Sequence, residues 1–112
     1  MDTFSHQDKG SCNGAGIRPF LSNATHFYKG RTALMAILKV LGVQKDDEVI
    51  IPGFTCLGVP LPVLSLGAKP VYADIEPSRY NMDIAKIESL ITKRTRAIVA
   101  QHTFGIPMPM ED

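Results

Sequence analysis

The stretch "DDEVIIPGFT", residues 46–55, decides the fold because it holds a short, continuously apolar run followed by turn residues. Val49, Ile50 and Ile51 follow one another with no polar residue between them, which is typical of a parallel strand covered on both faces. Pro52 ends the predicted strand, since proline lacks the N–H group that a sheet ladder uses. A strand covered on both faces needs a layer of helices on each side, so we expect an α/β fold.

Helical patterns lie on both sides of this strand. Apolar residues at i, i+3, i+4 and i+7 spacing predict an amphipathic helix over residues 31–41, packed on a larger core. Pro60 and Pro62 exclude a regular helix through the middle of "CLGVPLPVLSLG". We therefore expect a second helix whose first turn contains the prolines, since proline is tolerated at that position. A third helix over residues 84–91 has Asp83 as its N-cap.

Two more apolar segments complete an alternating pattern. Residues 71–74 in "KPVYAD" predict a second strand, and "RAIVAQ", residues 96–101, predicts a buried third strand. Strands alternating with helices at these spacings are typical of right-handed crossovers that build a parallel sheet with helices on both faces. Ligands of such sheets bind beyond the carboxyl ends of the strands, which here are the segments "PGFTC", "DIEPS" and "HTFG".

Composition limits the classes of protein to which this chain can belong. With 112 residues, of which 45% are hydrophobic and 21% charged, it fits one modest globular domain. A net charge of +1 with both signs interspersed gives no indication of a nucleic-acid partner. No apolar run reaches the roughly 18 residues of a membrane span, and the first residues lack the apolar core of a signal peptide. We therefore expect a cytoplasmic protein with no membrane partner.

The chain divides into two regions. Residues 1–16 are rich in Ser, Gly, Asp and Asn without periodicity and are expected to form a flexible N-terminal arm, followed by an ordered domain over residues 17–112. Cys12 lies in the arm and Cys56 in an ordered turn. Their contexts and spacing predict neither a disulfide nor a metal site.

The start of the first predicted helix is unusually open. Gly30 leaves the backbone bare where the first turn exposes its N–H groups and the positive end of the helix dipole. Such an end can hold an anion. The residues alone favour a structural alternative, in which Gly30 ends a turn and Thr32 caps a core helix.

Several motifs in a fixed order resemble one enzyme family. They are "GRTAL", "DDEVIIPGFT", "GAKPVYADIEPSRYNMD", "ITKRTRAIVAQHTFG" and the closing "MED". From about Phe20 to the last residue, the chain resembles the DegT/DnrJ/EryC1/StrS family of pyridoxal-phosphate-dependent sugar aminotransferases. The resemblance implies a three-layer, fold-type I large domain with a mostly parallel sheet. Residues 17–112 would be its N-terminal part, so the domain is incomplete in this chain.

The resemblance also implies a function and partners. Members of the family use pyridoxal 5'-phosphate to move an amino group from an amino acid donor such as glutamate to a keto group of a nucleotide-linked sugar. Polysaccharide biosynthesis is among their pathways. Their active site is built at a dimer interface, which implies a homodimer for the full-length protein.

The same resemblance assigns cofactor-binding residues. A turn in the position of Gly30, Arg31 and Thr32 presents backbone N–H groups and a hydroxyl to the cofactor phosphate. Cys56 takes the place of a residue that is often aromatic and stacks on the pyridine ring. Either the ring rests on this smaller thiol or Phe54 takes the role. The structural alternative is that Cys56 is a small buried residue.

Other polar residues are expected to shape loops. Asp74 ends the second strand and braces the loop that follows. With no partner identifiable in the sequence, His102 is explained better as a structural or pocket-wall residue than as a general acid or base. Phe104 and Gly105 shape the same loop, and the charged group "KRTR" is expected to be a solvated turn rather than a phosphate site.

The resemblance assigns no catalytic residue. The family's Schiff-base lysine and the aspartate at the pyridine nitrogen lie downstream of the "HTFG" segment, and no lysine of this chain has the matching context. We therefore expect an N-terminal fragment that is inactive by itself. Alternatives are a relative that dehydrates sugars and a non-catalytic truncated relative that acts as a ligand-binding or regulatory interaction module. A small nucleotide-binding domain is disfavoured because no glycine-rich phosphate loop follows a strand.

Overall fold

The computed structural model describes residues 24–110, so the predicted arm over residues 1–16 lies outside the described residues. The elements, in chain order, are helix α1 (Gly30–Val40), strand β1 (Glu48–Pro52), helix α2 (Pro60–Ser65), strand β2 (Lys69–Ala73), helix α3 (Ile84–Leu90), strand β3 (Thr95–Ile98) and a 3-10 turn (Thr103–Gly105). Helices and strands alternate as predicted. The strand ends differ from the prediction, since β2 begins earlier, at Lys69, and β3 already ends at Ile98.

The three strands form one parallel sheet in the order β2-β1-β3, with β1 in the centre. Ile50 lies opposite Val71 of β2 and Ile98 of β3. All five residues of β1 are buried, so the prediction of a strand covered on both faces is confirmed. Because β1 has a neighbour on each side, its backbone groups pair within the sheet rather than with water.

Helices cover both faces of the sheet. On one face, Leu38 of α1 packs with Val49 and Ile51, and α2 adds to the same core. On the other face, Ile87 of α3 belongs to a second core with Ile50. Successive residues of β1 thus enter opposite layers, as the two-residue period of a strand requires. This is the three-layer α/β arrangement that was expected, in which each large buried aliphatic side chain contributes about 1.5–3 kcal/mol.

The apolar stripe of α1 is only partly buried. Leu38 is 1% exposed and Leu34 packs beside it, whereas Ile37 and Leu41 are each 55% exposed. The expectation of a stripe wholly packed on a larger core is therefore wrong for Ile37 and Leu41. Burial of a helix face depends on what lies against it, and neither residue belongs to the cores formed by the described residues.

β3 is also less buried than predicted. Its residues alternate between half-buried and exposed, and Ile98 is 43% exposed. The expectation of a solidly buried third strand is wrong for these residues. Within residues 24–110, β3 is an edge strand that pairs only with β1, so it lacks the cover that a central strand receives from both neighbours.

Local signals set the ends of the helices. Pro60 occupies the first turn of α2, where its missing N–H group leaves no intrahelical bond unmade. Asp83 caps α3 by accepting a hydrogen bond from Ala85 N at 3.2 Å, as predicted. Gly42 and Gly67 follow α1 and α2 with φ values of 75° and 74°, a left-handed conformation that glycine adopts without strain. Between residues 24 and 110, none of the helices has the length and apolar character of a membrane span.

A buried carboxylate joins the start of β1 to the start of β3. Glu48 is 6% exposed, and its carboxylate accepts hydrogen bonds from Thr92 Oγ1 at 2.5 Å and from Arg94 Nε and Nη2 at 2.9 and 2.6 Å. The bond from Thr92, followed by that from Arg94, lowers the pKa of Glu48 below its ordinary value of 4.5. The basic side chains of "KRTR" are exposed, as expected of a solvated turn, but Arg94 also pairs with the sheet.

We expect the Glu48→Gln variant to unfold at a lower temperature than the parent chain at neutral pH. Because the folded-state pKa of Glu48 is lowered, its carboxylate stabilises the fold above the unfolded-state pKa, and this contribution is lost as the pH falls through the folded-state value. The difference in melting temperature between parent and variant should therefore shrink as the pH falls from neutrality to about 3. Thermal unfolding followed by circular dichroism measures this difference.

Glu88→Gln in α3 is the matched control, because Glu88 is exposed and forms no ion pair within residues 24–110. It should melt close to the parent chain at every pH. The prediction is contradicted if the melting temperature of Glu48→Gln stays below that of the parent by the same amount across the pH range, or if the control melts equally far below the parent.

Candidate functional site

A cleft opens at the carboxyl ends of β1 and β3. Its volume is about 460 Å³, and it is lined by residues that follow these two strands: Phe54, Thr55, Cys56, Gln101, Thr103 and Phe104. Parallel strands deliver their following loops to the same edge of a sheet, which is where ligands of such sheets bind. The cleft therefore lies where the sequence predicted a binding site.

Three polar side chains connect the two loops across the cleft. Thr55 Oγ1 donates a hydrogen bond to Gln101 Oε1 at 2.6 Å, and Gln101 Nε2 donates one to Thr103 Oγ1 at 3.2 Å. Thr103 is buried and the other two are half-buried, so this chain of bonds fixes a polar wall of the cleft. None of the three was singled out from the sequence. Their position directly after two predicted strands was the available signal.

A buried asparagine holds the loop after β3 in place. Asn81 is 2% exposed; its Oδ1 accepts a hydrogen bond from Thr103 N at 2.9 Å, and its Nδ2 donates one to Ile106 O at 3.0 Å. Both partners are backbone groups that flank Phe104, so one side chain from the loop after β2 fixes the loop after β3. The partners lie 22 and 25 residues away, and the sequence offers no local signal for such bonds.

Cys56 lines the cleft as an exposed, free thiol. The interpretation of Cys56 as a small buried residue is therefore wrong. Phe54 lines the same cleft, so both residues considered for contact with a ring are present. A Cβ atom at Gly58 would lie 3.3 Å from Cys56 Sγ and 4.0 Å from Arg31 Cβ. The first turn of α1 thus lies beside the cleft.

The first turn of α1 has free donors. Gly30, Arg31 and Thr32 are exposed. The N-cap residue is Lys29, whose side chain makes no capping bond, and the first turn holds no acidic residue. Within the described part of the chain, the N–H groups of Gly30 and Arg31 donate no hydrogen bond, while that of Thr32 donates to Lys29 O at 2.9 Å. The alternative in which Thr32 caps the helix is therefore wrong, and the turn can donate to an anion.

Space around this turn allows a ligand to approach. A Cβ atom at Gly30 would meet no atom within 4 Å. Arg31 and Thr32 line a depression of about 220 Å³ between α1 and α2. This depression is separate from the cleft that Cys56 lines. The structure thus places the predicted phosphate turn next to Cys56, but not in the same pocket.

Two residues with possible catalytic chemistry stabilise loops instead. His102 Nδ1 accepts a hydrogen bond from Met108 N at 2.9 Å, and His102 does not line the cleft. Asp74 pairs with Lys86 Nζ at 2.7 Å and accepts a bond from Ile75 N at 3.1 Å. The bond from Lys86 lowers the pKa of Asp74 and, in turn, raises the pKa of Lys86. These contacts agree with the structural role predicted for His102 and the loop-bracing role predicted for Asp74.

We expect the Asn81→Ala variant to lower the free energy of unfolding by about 2–3 kcal/mol, because Thr103 N and Ile106 O lose their side-chain partner. Urea unfolding followed by circular dichroism measures this change. Ser78→Ala is the control, since its hydroxyl makes an exposed hydrogen bond in the preceding turn, and it should change stability by less than about 0.5 kcal/mol. The prediction is wrong if the two variants are equally stable.

Sequence comparison identifies relatives of the chain. The model of the DegT/DnrJ/EryC1/StrS aminotransferase family matches residues 21–112. The chain is 44% identical over 81 residues to UDP-N-acetyl-3-dehydro-α-D-glucosamine 3-aminotransferase of Acidithiobacillus ferrooxidans. The aligned residues cover 72% of this chain and 22% of that relative. It is 47% identical over 76 residues to UDP-2-acetamido-2-deoxy-3-oxo-D-glucuronate aminotransferase of Pseudomonas aeruginosa. This alignment covers 68% of this chain and 21% of that relative.

Structural comparison gives the same group of proteins. NtdA of Bacillus subtilis, solved with the bound cofactor PMP, matches the chain with a TM-score of 0.66 and 38% identity, over 68% of this chain and 18% of that protein. The chain thus spans only about a fifth of the length of the curated relatives it matches, 22% and 21% for the two above.

Proposed function

Because the chain belongs to the DegT/DnrJ/EryC1/StrS aminotransferase family, we propose that residues 17–112 form part of the pyridoxal-phosphate-binding large domain of a sugar aminotransferase. The reaction moves an amino group from an amino acid donor such as glutamate to a keto group of a nucleotide-linked sugar. Two relatives named for UDP-linked sugars support this substrate class. The observation on which the proposal depends most is the open first turn of α1 beside a cleft at the strand ends.

The residues at this turn fit the phosphate of pyridoxal 5'-phosphate. The N–H groups of Gly30 and Arg31 can donate to phosphate oxygens, and the positive end of the helix dipole favours the negative charge. The Thr32 hydroxyl and the Arg31 guanidinium add exposed donors. Since a Cβ atom at Gly30 would meet nothing within 4 Å, a phosphate can reach the backbone. When bound, the cofactor supplies an aldehyde that takes up the amino group and a ring that withdraws electrons.

The pyridine ring fits the cleft next to the turn. Cys56 and Phe54 both line the cleft, and either can contact a face of the ring. Gly58 lies against both Cys56 and Arg31, so the turn and the cleft are adjacent, and one ligand would have to bridge the two separate pockets. The proposed cofactor-binding residues are Gly30, Arg31, Thr32 and Cys56.

The described residues do not supply the catalytic amine. No lysine lines the part of the cleft that residues 24–110 form. The bond to Asp74 raises the pKa of Lys86 and keeps its amine protonated, which opposes nucleophilic attack. Lys29 adjoins the phosphate turn, but its Nζ lies over the Tyr28 ring, 5.7 Å from the centroid. We assign no catalytic residue here. The proposal places the lysine elsewhere in a whole protein that acts as a cytoplasmic homodimer in polysaccharide biosynthesis.

Ligand binding without catalysis is the second candidate function. The observation that favours it is the same lack of a lysine in the cleft of the described residues. In that case, the chain binds a phosphate-bearing ligand and acts in regulation or assembly. The two candidates differ in whether any lysine becomes linked to the cofactor.

We expect the Gly30→Asp variant to weaken the binding of pyridoxal 5'-phosphate by at least about tenfold, because it places a carboxylate at the proposed phosphate position. The same variant should melt at a slightly higher temperature than the parent, since an acidic residue in the first turn stabilises a helix and nothing within 4 Å obstructs it. Absorbance titration measures the affinity, and circular dichroism measures the melting temperature. Because the affinity should fall while the melting temperature rises, the loss of binding can be distinguished from unfolding.

Two controls accompany Gly30→Asp. Gly30→Asn has the same size without the charge and should weaken binding less. Lys39→Gln removes a cation from the last turn of the same helix and should bind within about twofold of the parent. Unchanged affinity in Gly30→Asp places the phosphate elsewhere and removes the main support for the proposal.

After borohydride reduction with pyridoxal 5'-phosphate, we expect no single lysine of residues 24–110 to be labelled stoichiometrically, because none lines the cleft. Peptide mass spectrometry measures the label, which should be lowest on Lys86, whose amine is held by Asp74. The exposed Lys93 gives the background. Stoichiometric label on Lys29 contradicts the prediction. In the whole protein, a labelled lysine outside these residues favours the aminotransferase, and no label at all favours the non-catalytic candidate.

A further inference from the structure

Three exposed aromatic rings meet at the mouth of the cleft. Phe54, Tyr80 and Phe104, here called the aromatic triad, have ring centroids 5.6, 6.2 and 5.9 Å apart. They are 46%, 43% and 78% exposed, so the rings contact one another while much of their surface stays in water. Contacts between rings at these distances are attractive, but the exposed surface contributes little to folding.

The backbone that presents two of these rings is strained. Tyr80 and Phe104 have φ values of 59° and 54°, a left-handed conformation that is uncommon for bulky residues. The buried side chain of Asn81 keeps Phe104 in place by bonding to the backbone on either side of it. The N–H of Tyr80 donates to Glu76 O at 2.9 Å. Strain of this kind persists where the surrounding structure fixes it, and it concentrates at ligand sites.

We propose that the aromatic triad is a stacking platform for the uracil base of a UDP-linked sugar, an assignment that rests on the proposed function. Phe54 and Phe104 line the cleft, whereas Tyr80 does not. The platform therefore extends outward from the cleft. A nucleotide-linked sugar whose keto group lies at a cofactor in the cleft would also place its base outward. Base–aromatic stacking needs an accessible ring, and each residue of the triad is at least 43% exposed.

Polar side chains beside Tyr80 suit the edge of a base. Glu76, Ser78 and Arg79 are exposed in the turn that leads into Tyr80. Ser78 Oγ donates to Glu76 Oε1 at 2.8 Å, while Arg79 Nε lies 3.9 Å from Glu76 Oε2, so the guanidinium is only loosely held. Its donors can turn to the carbonyl oxygens of uracil or to the diphosphate.

The test is the binding of UDP to the full chain, measured by isothermal titration calorimetry. Phe104→Asn removes a ring from the triad, and asparagine tolerates the left-handed backbone, so the variant should melt close to the parent. We expect it to raise the Kd for UDP by at least about fivefold, and Phe104→Tyr to restore the parent value. Tyr28→Ala is the control, because Tyr28 is 96% exposed and lies outside the triad. It should bind UDP as the parent does.

Several outcomes overturn this assignment. They are no binding of UDP to the parent at millimolar concentration, an unchanged Kd in Phe104→Asn, and an equal loss in Tyr28→Ala. A parallel titration with pyridoxal 5'-phosphate separates the two proposals. If Phe104→Asn weakens the binding of the cofactor as much as the binding of UDP, the triad holds the cofactor ring and the base assignment fails. If the parent binds UDP through Phe104 but does not bind the cofactor, the proposed function fails while the platform stands.

Discussion

The complete burial of β1 is the constraint on which the rest of the structure depends. Five consecutive residues are removed from water, and the strand pairs with β2 along its whole length and with β3 over Glu48–Ile50. A slip of the strand by one residue would exchange the layers that Val49 and Ile50 enter, so the hydrophobic cores permit only one register. The end of β1 therefore reaches the surface at one fixed place. The position of Phe54, Thr55 and Cys56 in the cleft follows from that.

The range of each interaction explains which parts of the fold could be predicted. The apolar run of β1, the existence of α1 and the cap at Asp83 arise from residues close in sequence, and all are confirmed. The burial of β3 was overestimated, because its apolar sequence is the same for a central and an edge strand. The expected burial of Ile37 and the buried alternative for Cys56 are wrong for the same reason, since exposure depends on what packs against a residue rather than on its neighbours in the chain.

In the candidate site, too, features that depend on residues close in sequence could be predicted, and those that depend on distant contacts could not. The open start of α1 could be recognised because a glycine before an amphipathic helix is a local signal. Asn81 could not, because its partners come from another loop. Left-handed backbone is normally predicted from glycine or asparagine, but here Tyr80 and Phe104 adopt it. Gathering three rings from three loops is therefore a property of the packed sheet and not of any motif.

An anion bound at the uncapped start of α1 would link ligand occupancy to folding. An anion that binds this turn in the folded chain, and not in the unfolded chain, stabilises the native state through mass action, by about 2.7 kcal/mol when its concentration is a hundred times its Kd. The lack of a capping side chain and of acidic residues in the first turn leaves that stabilisation to the ligand. The folded fraction of the chain would then rise with the concentration of any anion bound at this turn.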